Sequence, residues 1–266
     1  MAHGPLLILL LAAAFCSGDE RAPRAEAAAP SDAPRILVFS KTAGFRHASI
    51  PDAVAAVRLL GSENGFGVDS TEDGSAFTDA GLAPYDAVVF LLTTGDVLDD
   101  SQQAAFERYV RSGRGFVGVH SASDTEYGWP FYGELVGAPF AGHPEVQSAT
   151  VRVVDRVHSA TRGLPESWPR VDEWYNFAFN PRAKVHVLAT LDETTYSGGA
   201  MGTDHPIAWC RFVFGGRAFY TALGHTNESY AEPLFLAHLL GGIQFAAGYP
   251  DCARPAARAP RAVPPR

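Results

Sequence analysis

Cysteine is scarce in this chain, with three residues in 266, and no CxxC pair or other zinc-finger spacing occurs. That excludes a thiolate metal scaffold and a disulfide-dense mini-domain. Cys16 falls in the leader, leaving Cys210 and Cys252. An oxidising compartment would let those two pair, and two unpaired thiols fit the sequence equally well. No Lys/Arg cluster appears in the body and the formal net charge is -8, so nucleic acid is an unsuitable partner. No HExxH helix motif and no internal repeat are present. The one long apolar run, residues 5–16 (PLLILLLAAAFC), is too short for a comfortable membrane span and has the length of a signal peptide.

Small residues at 16–18 then offer a cleavage region, so residues 1–18 are expected to be a signal peptide and the protein secreted or periplasmic. Cys16 is an alternative lipidation site, although the bulky Phe15 before it argues against a lipoprotein. Residues 19–34, rich in Ala, Pro and charge, read as a disordered linker, and residues 249–266 as a disordered, basic tail. The interval 35–248 is one domain's worth of chain, with length enough to bury a substantial core.

Its first half alternates apolar runs with amphipathic segments. Residues 35–40 (RILVFS), 86–92 (DAVVFLL) and 116–120 (FVGVH) are strands buried on both faces, with a weaker strand near 67–70. Between them the pattern predicts a helix from Pro51 to about Leu60 and another over 102–111, capped from Asp99-Asp100-Ser101. This order predicts an α/β doubly wound, mostly parallel sheet. Beyond residue 140 the expected strands are 149–154, 185–191, 206–214 and 217–222, with a hairpin turn at Gly215-Gly216 and a closing helix over 232–246.

Doubly wound sheets bind ligands beyond the carboxyl ends of their strands. Five of the nine histidines (His47, His120, His143, His205, His225) sit in Gly-, Pro- or Asp-flanked loops. Imidazole is both a frequent metal ligand and an acid/base near neutral pH. The segment Gly118-Val-His120-Ser-Ala122 resembles a nucleophile elbow, but its central residue is His, so acyl-enzyme chemistry has no nucleophile there. The aromatic supply suits either stacking on sugar rings or core packing.

Five blocks carry a family resemblance: 42–51 (TAGFRHASIP), 115–125 (GFVGVHSASDT), 172–175 (DEWY), 204–209 (DHPIAW) and 216–225 (GRAFYTALGH). In this order they resemble the trehalose-utilisation (ThuA-like) family. The resemblance implies a flavodoxin-like, class I glutamine amidotransferase-like fold with added antiparallel strands, in which His120 replaces the amidotransferase cysteine. It also implies a role in disaccharide or keto-sugar metabolism. On it, His120, Glu173 and His225 are expected to be catalytic, with Arg46, Asp124 and Tyr175 binding substrate. His47, His120, His143 and His225 are candidate metal ligands, with zinc the candidate ion. A small sugar or sugar derivative is the expected partner, and a homo-oligomer is compatible with the sequence. Cys210, placed where the family would carry a polar residue, favours a disulfide over catalysis. A non-catalytic carbohydrate-binding module is the alternative function.

Overall fold

The computed structural model describes Met1 and residues 33–249. The signal segment, the Cys16 anchor, nearly all of the linker, Cys252 and the basic tail therefore lie outside the described residues. In the first half each apolar run becomes a strand: β1 (Arg35–Phe39), β2 (Gly67–Thr71), β3 (Ala87–Leu91) and β4 (Gly115–Val119). Helices α1 (Ile50–Asn64), α2 (Asp79–Leu82) and α3 (Asp100–Arg111) connect them. Helix α1 runs a turn beyond Leu60, because the polar residues 62–64 continue it to Gly65, whose left-handed backbone (φ 73°) ends it. Asp99 caps α3 and Gln102 returns the bond, a capping box.

The second half adds α4 (Pro130–Val136), β5 (Phe140–Gly142), β6 (Gln147–Val153), β7 (Ser167–Asp172), β8 (Asn176–Phe177), β9 (His186–Asp192), β10 (Pro206–Val213), β11 (Gly216–Thr221) and α5 (Pro233–Ala247). One nine-stranded sheet results, in the order β2-β1-β3-β4-β11-β10-β9-β6-β7, with β5 and β8 forming a separate pair. The hairpin between β10 and β11 turns at Phe214-Gly215, one residue earlier than expected, since Val213 pairs with Gly216. Both turn residues have positive φ. Phe214 is held there by stacking on Phe131, 4.4 Å between centroids, with Arg111 over its face.

Strand polarity decides where the site forms. β1, β2, β3, β4 and β11 are parallel. β10 runs against β11, β9 against β10, β6 against β9 and β7 against β6. Hence β9 and β7 regain the direction of the parallel strands, and seven carboxyl ends share one edge. β7 lies five places from β4 in the sheet, about 24 Å if the sheet were flat at ~4.8 Å per strand. Yet Glu173, the residue after β7, approaches His120, the residue after β4, to 3.2 Å. The antiparallel half must therefore curl back over the strand ends. Its inner side packs on α5: Trp168 Nε1 donates to Glu232, and Arg170 lies over the Phe235 ring.

Phe39, Phe77, Phe90, Phe106, Phe116 and Tyr132 form a continuous aromatic layer on one side of the sheet. On the other, α5 approaches closely enough that a Cβ on Gly242 would fall 2.2 Å from the Phe219 ring. Among the described residues no helix is long and apolar enough to cross a membrane.

Candidate active site

His120 is built on a sharp turn. β4 ends at Val119, His120 takes a left-handed backbone (φ 51°), and a 3₁₀ turn over His120–Asp124 follows. This conformation is uncommon for a side-chain-bearing residue and marks functional or strained positions. Small neighbours permit it: a Cβ on Gly118 would meet the Tyr220 ring at 3.0 Å and Ala122 at 3.2 Å. Tyr220 steadies the turn by donating its hydroxyl to the His120 carbonyl at 2.8 Å. The His120 Nδ1 lies 2.7 Å from the Ala222 carbonyl, which can only accept, so Nδ1 carries the proton. Nε2 is therefore the nitrogen that His120 turns into the centre, a lone pair when the ring is neutral and a donor when it is protonated.

That nitrogen faces two other groups. Glu173 Oε2 is 3.2 Å away, His225 Nδ1 is 3.2 Å away, and those two atoms are 3.2 Å from each other. His47 comes from the loop after β1 and supplies a fourth donor atom, all four lying within 4.8 Å of one another. His143, arriving before β6, brings its Nδ1 within 3.1 Å of the other Glu173 oxygen, while that nitrogen donates to the Pro144 carbonyl at 2.9 Å. The Tyr175 ring packs against His120 at a tilt, 4.1 Å between centroids, and Phe140 backs it at 4.2 Å.

Residues 35–246 match the family model of trehalose utilisation, ThuA. The chain belongs to the ThuA family. Among solved structures, a putative ThuA-like protein from Bacteroides uniformis is similar at 23% identity and TM-score 0.68, over 83% of this chain and 94% of that one. A second, from Parabacteroides merdae, is 21% identical with the same TM-score, over 81% and 90%. PurLQS from Thermotoga maritima shares the fold alone, at 12% identity and TM-score 0.50, over 80% and 99%. No curated protein matches the chain. The flavodoxin-like architecture expected from the resemblance, a mostly parallel sheet with added antiparallel strands, is the one observed.

In this ThuA domain the cluster's charge is set by burial and by Glu173. Burial pushes His47 down to about 3, and the neighbouring histidines lower it further, so its ring is neutral at pH 7. Burial alone would raise Glu173, but hydrogen bonds and charge from His120 and His225 overcome it and hold the carboxyl well below its usual range. His225 is pulled down by desolvation, yet its bond to Glu173 and the Glu173 and Asp172 charges leave it raised.

The donor set fits a metal ion. Three donors 3.2 Å apart are spaced as vertices of a tetrahedron whose bonds are about 2.0–2.1 Å, which requires edges of about 3.3 Å. Two imidazoles and a carboxylate suit zinc, and the Nδ1–carbonyl bond of His120 is the outer support such ligands usually have. His143, a candidate ligand by sequence, lies outside this group; Glu173 takes its place, and His143 lies against the far oxygen of Glu173.

The structure also separates neighbours in sequence. Arg46 turns away from His47 into a two-pronged, half-exposed ion pair with Glu72. Asp124 accepts from the Tyr127 hydroxyl at 2.7 Å. His205 is buried between Glu193 and the Tyr175 carbonyl, so it supports Tyr175 from behind. Cys210 is fully buried in β10, where burial raises its thiol pKa, unsuited to a nucleophile; its proposed partner Cys252 lies outside the described residues. Asp172 was invisible as a functional residue. The only hint was its position beside Glu173 in the acid-aromatic block 172–175.

Proposed function

We propose that this cluster is the catalytic centre of a sugar-active enzyme domain, with His120, His225 and Glu173 as ligands of a divalent ion, zinc by donor chemistry. The triangle of 3.2 Å contacts carries the reading. Three electron-pair donors at this spacing repel one another unless a cation, a proton or a metal, lies among them. When bound, such an ion polarises a carbonyl or hydroxyl oxygen and lowers the pKa of attached water.

The chain's own groups supply the rest. The Ala222 carbonyl fixes the His120 tautomer, which keeps Nε2 directed into the centre. His47, neutral at pH 7, offers a lone pair without adding charge. Tyr175 closes one side with its ring and excludes water from His120. A cleft of roughly 300 Å³ opens beside the centre, lined by Phe45, His47, Val146, His225, Asn227 and Glu228 among others. Phe45, 66% exposed, provides an apolar shelf for a sugar ring. The rim offers an amide and a carboxylate, and among the described residues no Lys or Arg lines it. A neutral sugar or keto-sugar suits this lining better than a phosphorylated one.

Elemental analysis of purified, undialysed protein should find close to one zinc or similar ion per chain, and His120→Ala should remove it together with turnover. Stoichiometry near zero would overturn the metal. Turnover of every glycoside and keto-sugar surviving in His120→Ala would overturn the centre. The exposed rings of Phe45 and Tyr127 (66% and 55%) also suit a non-catalytic carbohydrate-binding module. Calorimetry with trehalose and cellobiose followed by product analysis separates the two, since binding without product favours the module. The apolar run 5–16 supports an exported setting, which N-terminal sequencing of the mature protein would test.

A further inference from the structure

We infer that Asp172 is the positioning residue that assembles this centre, an inference that rests on the reading of the histidine–glutamate cluster as a metal-dependent site. Asp172 is completely buried, and each of its carboxylate oxygens accepts two hydrogen bonds. Oδ1 takes the backbone N–H of Glu173 and of His225, both at 3.0 Å. Oδ2 takes the backbone N–H of Gly224 and the Arg170 guanidinium, both at 2.9 Å. One side chain thus binds the backbones of two of the three proposed ligands.

Those ligands leave strands far apart in the sheet. Glu173 follows β7 at the edge of the sheet, and His225 follows β11 near its middle, with β10, β9 and β6 between them. Neither backbone N–H belongs to a strand ladder or helix, so each needs an acceptor, and Asp172 serves both. The carboxylate is itself fixed from behind. Arg170, 3% exposed in its side chain, also reaches the Ser229 hydroxyl and Glu232, and its guanidinium lies over both the Trp168 and Phe235 rings. A charged, four-coordinate acceptor held this way allows little freedom of distance between Glu173 and His225. Ligand spacing is what a metal site is most sensitive to, and removing an outer-shell support typically costs 10–100-fold in metal affinity.

The experiment is Zn²⁺ affinity of Asp172→Asn by chelator competition, with amide hydrogen exchange at Glu173, Gly224 and His225 in the metal-free protein. The affinity should fall about 10–100-fold, and the three amides should exchange faster. Because Asp172→Asn strands a buried guanidinium, the paired change Arg170→Gln/Asp172→Asn removes both charges and should show the same two losses in a protein that still folds. Ile243→Ala, a core truncation in α5, serves as the control: it should lower Tm and leave Zn²⁺ affinity unchanged. If wild-type protein binds no Zn²⁺, the metal reading fails, while the exchange rates still decide the role of Asp172. Affinity and exchange both within twofold of wild type in either Asp172 variant would overturn the inference, as would an equal affinity loss in Ile243→Ala.

Discussion

At the scale of single residues, the centre is defined by which atoms carry protons. His120 commits its Nδ1–H to Ala222, and Glu173 stays ionised far into acid because two imidazoles face it. His225 is the group whose proton competes with a metal, and its pKa is raised. Metal binding requires the His225 nitrogen to be free, so affinity should fall as pH drops through that raised value, with loss beginning above the 6.5 of an ordinary histidine. Zinc retained after gel filtration at pH 8, 7, 6 and 5 reads this directly. Retention unchanged down to pH 5 would remove His225 from the ligand set. Arg46 illustrates the limit of adjacency. It neighbours His47 in sequence, but Glu72, just beyond β2, captures it.

At the scale of elements, close packing decides more than helix propensity. In α5, replacing Gly242 by Ala should favour the helix by up to ~1 kcal/mol. The new methyl group would fall 2.2 Å from Phe219, on a ring buried in β11. Overpacking of this kind costs about 1–3 kcal/mol, so Gly242→Ala should lower the denaturation midpoint despite its better propensity; an unchanged or higher midpoint would contradict the packing. The same balance between local signal and context explains what was legible. β1, β3 and β4 are unbroken apolar runs buried on both faces, and their pattern alone marks them. β7 was not visible, because Pro169 interrupts it and only alternate residues are buried. Proline is tolerated there since β7 lies at the sheet edge, where one side needs no ladder bond. With β7 hidden, nothing in local sequence could bring Glu173 to His120; only the family resemblance pointed to it.

For the whole molecule, buried histidines set the acid limit. His47 is lowered to about 3, and His158 and His238 each to about 4, all mainly by burial. Below the unfolded value near 6.5 the unfolded chain binds protons that the folded chain refuses. Each group therefore withdraws stability as pH falls from about 6.5 toward its folded value. His225, raised, acts in the opposite sense and alone cannot compensate for three. Thermal midpoints should be steady from pH 8 to 7 and decline between pH 6.5 and 4; a flat profile there would mean these rings are hydrated in solution.

The polarity of the sheet has a consequence for how such a site can grow. Strands joined antiparallel reverse direction at each step, so only every second addition restores the original heading. Parity then assigns duties. β11, β9 and β7 reach the mouth with their exits, whereas β10 and β6 reach it with their entrances, preceded by His205 and His143. Inserting or deleting a single strand between β11 and β7 would send Asp172 and Glu173 to the opposite rim. A lineage that lengthens this sheet while keeping its chemistry can do so only two strands at a time.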